Sequence, residues 1–430
     1  MTEPFAAASH SPDECAYVRA VVKRIVEECP QRAPASDDER RAQTILQADF
    51  ERLGLKTRFE RFRFNANLYA NLALHCGLAL LATALSFAVP LVALALHLAV
   101  GVSLFLDTTR RAYLLRRLFP FRPSQNLLAT LPAQGEPALR IVLGAHADAA
   151  PPGLMFHPRL VRRFARARLP FSLERPLAVI AYSQLALAAF DLSRAFGAPA
   201  SLAIAVAQAA LSLPALVAFV LNLEAALRRR VVPGANDDLS GMAALPLLAA
   251  RLAPVKPNEV ELVFAVTGCE EASMGGADAL ARSRRGVWDP RRTVFVALDC
   301  ITNGALHYLR AEGDVVRLFV PAWLEKIIIE TASGDPRFRT LKGLLLPAGG
   351  TDAHAFLAHG FFACSFASID SSLGTPQHYH RLSDTLENLD IDALMDSIDF
   401  LEKLVMAIIR RRLGVSGRAP PSDGEAIEPH

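Results

Sequence analysis

Two acidic residues stand together in Gly234-Ala-Asn-Asp237-Asp238-Leu-Ser-Gly241, just ahead of an apolar run from Met242 to Leu252. Pro233-Gly234 is a turn signal, and Ser240-Gly241 opens a helix of small and apolar residues, so both carboxylates sit on a loop at a helix N-terminus. Capping and the helix dipole would by themselves account for such a pair. The company it keeps argues for more. His146-Ala-Asp148 lies upstream, and Glu270-Glu271, Asp299 and His380 lie downstream, each after a strand-like run or on a loop. Open α/β sheets place their sites at the C-terminal ends of successive strands. Zinc takes imidazole nitrogen and carboxylate oxygen, and a catalytic zinc keeps a position open for water. A pair of zincs needs a bridging carboxylate, two more carboxylates, two imidazoles, and a separate base within reach of the bridging water. His146, Asp237, Glu271, Asp299 and His380 supply the ligands, and Glu270 supplies the base. Asp148, two residues after His146, can accept the imidazole's other N–H and orient it.

The elements needed to bring these residues together can be read along the chain. Residues 12–29 and 36–53 form two helices, the second opened by the capping box Ser36-Asp-Asp-Glu39 and stopped by Gly54. Lys56 to Phe64 alternates charged and apolar residues as a half-buried strand does. Strands are expected at 126–131 and at 139–144, the latter delivering His146. From Gly234 onward the pattern is α/β. Strands at 260–266 and 293–298 deliver Glu270-Glu271 and Asp299, with a helix from Gly275 to Arg282 between them. A helix at 321–331, a strand at 344–346, a strand at 361–369, the loop carrying His378-Tyr379-His380 and a last helix at 390–413 complete the series. The tail from 414 to 430, with Pro420-Pro421 and little apolar content, is expected to be disordered.

Two stretches break the soluble pattern. No Asp, Glu, Lys or Arg occurs between Arg63 and Asp107, and Pro90 lies near the middle of that gap. A span needs roughly 20 apolar residues, so two short membrane helices turning at Ala88-Val89-Pro90 are expected. A second apolar pair covers 176–190 and 199–223, with Asp191 and Arg194 in its connection and Arg228-Arg229-Arg230 after it. Each insertion must return to its starting side, because His146 lies between them and Asp237 after both. The arginines fall on that side: Arg110, Arg111, Arg116, Arg117 and Arg122 follow the first pair. A basic amphipathic stretch (Arg159, Arg162, Arg163, Arg166 and Arg168 among Leu160, Val161, Phe164 and Leu169) precedes the second and suits a membrane surface. The positive-inside rule then puts the catalytic part at the cytoplasmic face of a multi-pass inner-membrane protein.

Composition agrees. The chain is 430 residues long and 52% hydrophobic with 21% charged residues, which is apolar for a soluble enzyme. Its arginines gather beside the apolar runs rather than in a nucleic-acid stripe. Six cysteines without CxxC spacing read as reduced thiols. Met1 to Pro12 has neither the basic nor the apolar region of a secretory signal.

Taken in order, His146-Ala-Asp148, Gly234 to Gly241, Glu270-Glu271, Asp299, Thr351-Asp352 and Tyr379-His380 with Asp384-Thr385 resemble the co-catalytic di-zinc metallopeptidases typified by bacterial leucyl aminopeptidase. That family also holds glutamate carboxypeptidase and glutaminyl cyclase branches. The resemblance covers nearly all of the chain outside the two hairpins and the tail. It implies an α/β fold, a mixed, mostly parallel sheet flanked by helices, here with about four transmembrane helices inserted in two hairpins. It implies one zinc on His146, Asp237 and Asp299 and a second on Asp237, Glu271 and His380, with other divalent metals able to take the same donors. Glu270 would be the general base of an aminopeptidase acting on peptide substrates.

The expected organisation is a peptidase domain in pieces. Its segments are 1–65, 108–175 and 225–413, interrupted by hairpins at 66–107 and 176–224 and followed by the tail. Two rivals are a single-zinc acyltransferase resembling glutaminyl cyclase and a catalytically silent membrane scaffold. Arg381, where a Thr commonly follows the ligand His, and Ala353-His354, in place of a His after Asp352, depart from the family pattern and bear on specificity. His354, His378 and Tyr379 read equally as substrate contacts or as packing residues, whereas His359 and Cys269 read as packing.

Overall fold

The structure is a computed structural model that describes residues 10–166, 175–199, 201–346 and 348–414. Arg168 and Leu169 of the basic stretch and the tail from 415 to 430 lie outside the described residues. Helices α1 (Pro12–Glu28) and α2 (Asp37–Arg52) lead into strand β1 (Lys56–Asn65). A helix pair follows, α3 (Leu68–Leu85) and α4 (Pro90–Thr108), and then β2 (Phe121–Leu131) and β3 (Leu139–His146). Short α5 (Pro158–Arg166) precedes a second pair, α6 (Pro176–Ala195) and α7 (Leu202–Ala226). Next come α8 (Leu239–Leu252), β4 (Val260–Thr267), α9 (Gly275–Arg284), β5 (Thr293–Leu298), β6 (Ala305–Glu312) and β7 (Leu318–Phe319). The chain ends with α10 (Ala322–Ser333), β8 (Gly343–Leu345), α11 (Asp352–Ala358), β9 (Phe362–Ile369) and α12 (Ile391–Leu413).

The strands form one mixed sheet in the order β1-β2-β4-β3-β5-β9-β6-β7, with β8 paired to β6. Its centre, β4-β3-β5-β9, is parallel, and its flanks at β1-β2-β4 and β9-β6-β7 are antiparallel. Successive side chains of a strand point to opposite faces, and the central strands bury both. Ile141, Leu143 and Ala145 of β3 and Leu262, Phe264 and Val266 of β4 pack with α1, α2, α8, α10 and α12. Val142, Val263, Ala265 and Phe295 pack with α9 and α11 on the other face. Both layers are needed because the strands of a parallel sheet are apolar on both sides.

β2 starts at Phe121, earlier than its apolar run, because its polar residues are satisfied from α2. Ser124 donates to Glu39 at 2.7 Å, and Gln43 donates to the Gln125 carbonyl at 2.8 Å. The short β6, β7 and α11 carry no periodic signature of their own.

Among the described residues, four helices are long and apolar enough to cross a membrane: α3, α4, α6 and α7, of 18, 19, 20 and 25 residues. They pack as a bundle that is polar inside and apolar outside. His75, His97, Gln184, Asp191 and Gln208 are fully buried, while Phe196 is 85% and Leu202 82% exposed. Asp191 and Arg194, expected in the connection, instead lie in the last turns of α6. Asp191 turns inward and accepts from His97 Nδ1 at 2.6 Å, because an inward face is where a carboxylate in an apolar helix finds a partner.

Candidate metal centre

The parallel centre of the sheet explains how distant residues meet. β3 ends at His146, paired with Thr267 at the end of β4. Glu270 and Glu271 therefore follow β4 directly beside the imidazole. Asp299 follows β5 on the other side of β3, and its amide donates to the Phe366 carbonyl of β9 at 3.1 Å. The loop after β9 brings back His380. Asp237 comes from the loop that precedes α8. The two aspartates of that loop divide the two roles between them. Asp238 caps α8 by accepting from Gly241 N at 3.2 Å and also accepts from His146 N and Cys300 N. Gly241 is required there, since a Cβ would lie 2.5 Å from the Leu298 carbonyl.

Asp237 faces both imidazoles. Its Oδ1 lies 3.2 Å from His146 Nε2 and its Oδ2 lies 3.2 Å from His380 Nε2. Glu271 Oε1 is 3.3 Å from the same His380 nitrogen, and Glu270 Oε2 is 4.0 Å from His146 Nε2. Donor atoms of His146, Asp237 and Glu271 all lie within 4.8 Å of one another, as do those of Asp237, Asp299 and Cys300. The five residues expected as ligands are thus brought together around Asp237, with Glu270 at the rim.

This donor set fits zinc. Asp237 Oδ2 and Glu271 Oε1 are buried and, among the described residues, make no hydrogen bond. Buried carboxylate oxygens are rarely left so, and lone pairs converging on one point are stabilised by a cation there. The carboxylates dominate the charge of the site. Burial opposes charge on His380, but Glu271 and Asp237 outweigh it and push the imidazole up to about 10. Burial pushes Glu270 well above the usual carboxylate range; His146 opposes this, and the negative charges of Asp299, Asp352 and Glu271 add to it. Burial and the surrounding carboxylates also raise the Cys300 thiol, so it stands beside Asp299 as a neutral group.

The surroundings differ from expectation at Asp148. His146 Nδ1 lies 3.0 Å from the main-chain carbonyl of Asp148 and 3.7 Å from its carboxylate. The carboxylate instead accepts the backbone N–H groups of Glu270 and Glu271, at 3.0 and 2.9 Å. It orients the glutamate loop, and the carbonyl orients the imidazole. Asp384 does the same for the Asp237 loop, accepting from Asn236 N at 2.8 Å and Asp237 N at 3.1 Å.

Other residues complete the surroundings of the site. Arg32, fully buried, donates to the carbonyls of Ala147 at 3.1 Å and Pro233 at 2.7 Å and so ties the His146 loop to the Asp237 loop. Phe156 lies edge-on to His380 with ring centroids 4.3 Å apart, and Tyr69 of α3 lies behind it at 6.5 Å. Tyr379 stacks on His380 at 3.9 Å. His354 is buried, with Arg110 donating toward its Nδ1 at 3.4 Å, and His359 pairs with Asp278 at 2.8 Å. Those contacts make both packing residues.

A mixed sheet with carboxylates and imidazoles at its parallel strand ends defines the class, an α/β scaffold of the zinc-exopeptidase type. Residues 220–405 match Peptidase family M28. Its fold is similar to that of BSAP, a zinc aminopeptidase from Bacillus subtilis, at 13% identity and TM-score 0.54, over 93% of this chain and 96% of that one. It is also similar to a glutaminyl cyclase from an Acidobacteriales bacterium (14% identity, TM-score 0.52, 95% and 100% covered). A Zn-dependent exopeptidase from Parabacteroides distasonis is similar too (12%, TM-score 0.50, 94% and 99%). No curated protein matches the sequence.

Proposed function

We propose that the chain is a membrane-anchored aminopeptidase that holds two zinc ions. The observation that carries this reading is Asp237, whose two oxygens face two different imidazoles at equal distance. His146, Asp237 and Asp299 would hold one ion and Asp237, Glu271 and His380 the other. Zinc bound there supplies Lewis-acid polarisation of a peptide carbonyl and acidifies its water. The protein's own part is proton transfer and alignment. Glu270 accepts a proton from the attacking water and returns it to the departing amine. Its position supports that task, since its carboxylate lies beside the cluster, 4.0 Å from His146 Nε2. Asp148 holds Glu270 and Glu271 by their amides, and the Asp148 carbonyl fixes the His146 tautomer.

In this reading the peptidase unit is made of three segments, and α3–α4 and α6–α7 are two membrane hairpins. The exposed apolar residues of those helices and their polar interior support it. Arg111, Arg117, Arg122 and Arg228 to Arg230 are exposed at the ends nearest the sheet, which supports a cytoplasmic site at the inner membrane.

Glu270→Gln tests the mechanism. The variant is expected to keep its zinc and to lose hydrolysis of aminoacyl substrates by about a hundredfold or more. Near-normal turnover would refute the assigned base. The glutaminyl cyclase among the similar folds keeps a second reading alive, single-zinc acyl transfer, and one zinc per purified chain in place of two would favour it.

A further inference from the structure

The loop that carries Glu270 and Glu271 is unusual in its backbone. Cys269, Ser273 and Met274 all have positive φ, at 58°, 88° and 51°. Non-glycine residues hold that conformation only where their surroundings over-determine it. One side of the loop is fixed by Asp148 through the amides of Glu270 and Glu271. The other side is fixed from the segment that follows the first helix pair. Arg116 Nη1 donates to the Ala272 carbonyl at 2.8 Å, and Arg110 Nη1 donates to the Ser273 carbonyl at 2.7 Å. Ala272 directly follows Glu271.

Arg116 is itself immobilised by that pair. Its Nε and Nη2 donate to the two oxygens of Asp107, at 2.9 and 2.7 Å. Asp107 lies in the last turn of α4, and Asn71 in the first turn of α3 donates to the same carboxylate at 3.2 Å. Arg116 is fully buried and Asp107 is 4% exposed. The guanidinium lies over the edge-on pair of rings Phe64, at 5.4 Å, and Tyr113, at 5.3 Å. An ion pair needed only to tie α4 to the sheet would not require a third bond to the loop carbonyl. Nor would it require a second arginine on the next residue of that loop.

The geometry points to Arg116 and Arg110 as positioning residues for the Glu270–Glu271 loop, which makes the segment after the first membrane hairpin, anchored on Asp107 of that hairpin, a working part of the site. This rests on the roles proposed above for the two glutamates. Only a guanidinium has the planar fork that serves a bidentate carboxylate and a carbonyl at once. Arg116→Lys therefore keeps the charge and loses the geometry.

The test compares Arg116→Lys with Arg194→Lys in detergent-purified, zinc-loaded protein. Arg194 bonds Ser86 and stacks on Phe87 at the far end of the bundle, away from the loop. Two quantities are read: hydrogen exchange of the amides at 269–275, and kcat per bound zinc with KM on aminoacyl anilides. Arg116→Lys is expected to speed exchange across the loop and to lower kcat about tenfold to a hundredfold, with KM nearly constant. Arg194→Lys is expected to lower thermal stability and leave both quantities alone. Arg110→Lys should show the Arg116 pattern more weakly, and it decides the matter if Arg116→Lys does not fold. If the Arg116 and Arg110 variants lose only thermal stability, with loop exchange and kcat at wild-type values, the positioning role is wrong. If the wild type hydrolyses no aminoacyl substrate, the aminopeptidase reading fails, and the exchange measurement still decides the clamp.

Discussion

Asp237 carries the site because one carboxylate can face two imidazoles only from a loop that lies across the ends of the strands. Around it, buried acids are held by hydrogen bonds at different cost. Glu312 is an informative case. Burial pushes it up to about 7, against bonds from Ser365 and from Thr351 that favour the anion. Thr351 caps α11, so Glu312 fixes the start of that helix. Its folded pKa lies above the unfolded value of 4.5. Its contribution is therefore full below about pH 4.5 and is lost as pH rises through about 7, by up to about 3 kcal/mol. Glu312→Gln should flatten that dependence. Thermal midpoints of the wild type and the variant, taken at pH 5 and pH 8 in one detergent, check this. Parallel pH dependence in the two proteins would count against Glu312 as the source.

At the scale of elements, the four long helices are held together by polar contacts that no hydropathy pattern announces. His97 of α4 joins Asp191 of α6 at 2.6 Å and Thr83 of α3 at 3.2 Å, and Thr83 meets Ser212 of α7 at 2.9 Å. All four helices thus share one chain of contacts. Interhelical bonds in an apolar medium are worth about 1–2 kcal/mol in favourable cases. His97→Ala should lower the unfolding free energy of the bundle by an amount in that range, and with it the midpoint, while zinc content stays at the wild-type value. An unchanged midpoint in thermal or SDS unfolding would mean that the contacts contribute nothing. The peptidase-like elements follow a different logic: their strands are held by apolar packing on both faces, and their chemistry sits in the loops that leave them.

For the whole molecule, the bundle is joined to the sheet at places that matter to the site. Arg116 reaches Ala272, Tyr69 of α3 lies behind Phe156, and Glu224 of α7 accepts from Leu154 N at 2.8 Å in the loop that carries Phe156. If the helices span the inner membrane, the site lies close under its surface. The exposed arginines predict the side. A reporter fused after Leu413 should be active only in its cytoplasmic form, and activity only outside the cytoplasm would reverse the orientation. Arg110 and Arg116 add nothing to that argument, because both are buried against the glutamate loop.

The sequence by itself marked out the residues that the structure gathers at the strand ends. His146, Asp237, Glu270, Glu271, Asp299 and His380 follow strands or turns whose signals are local, and the two charge-free runs are local as well. The α/β order, the capping box at Ser36 and the long helices were legible for the same reason. Tertiary structure decided what depends on which surfaces meet. It divided the Asp237-Asp238 pair into a site residue and a cap, and it moved the Asp148 carboxylate from the imidazole to the glutamate amides. It turned Asp191 from a connection residue into the partner of His97, and it turned two arginines of an apparent surface cluster into a clamp. A buried charge is stabilised by its partner, and these partners lie far away in sequence, so no spacing along the chain could reveal them.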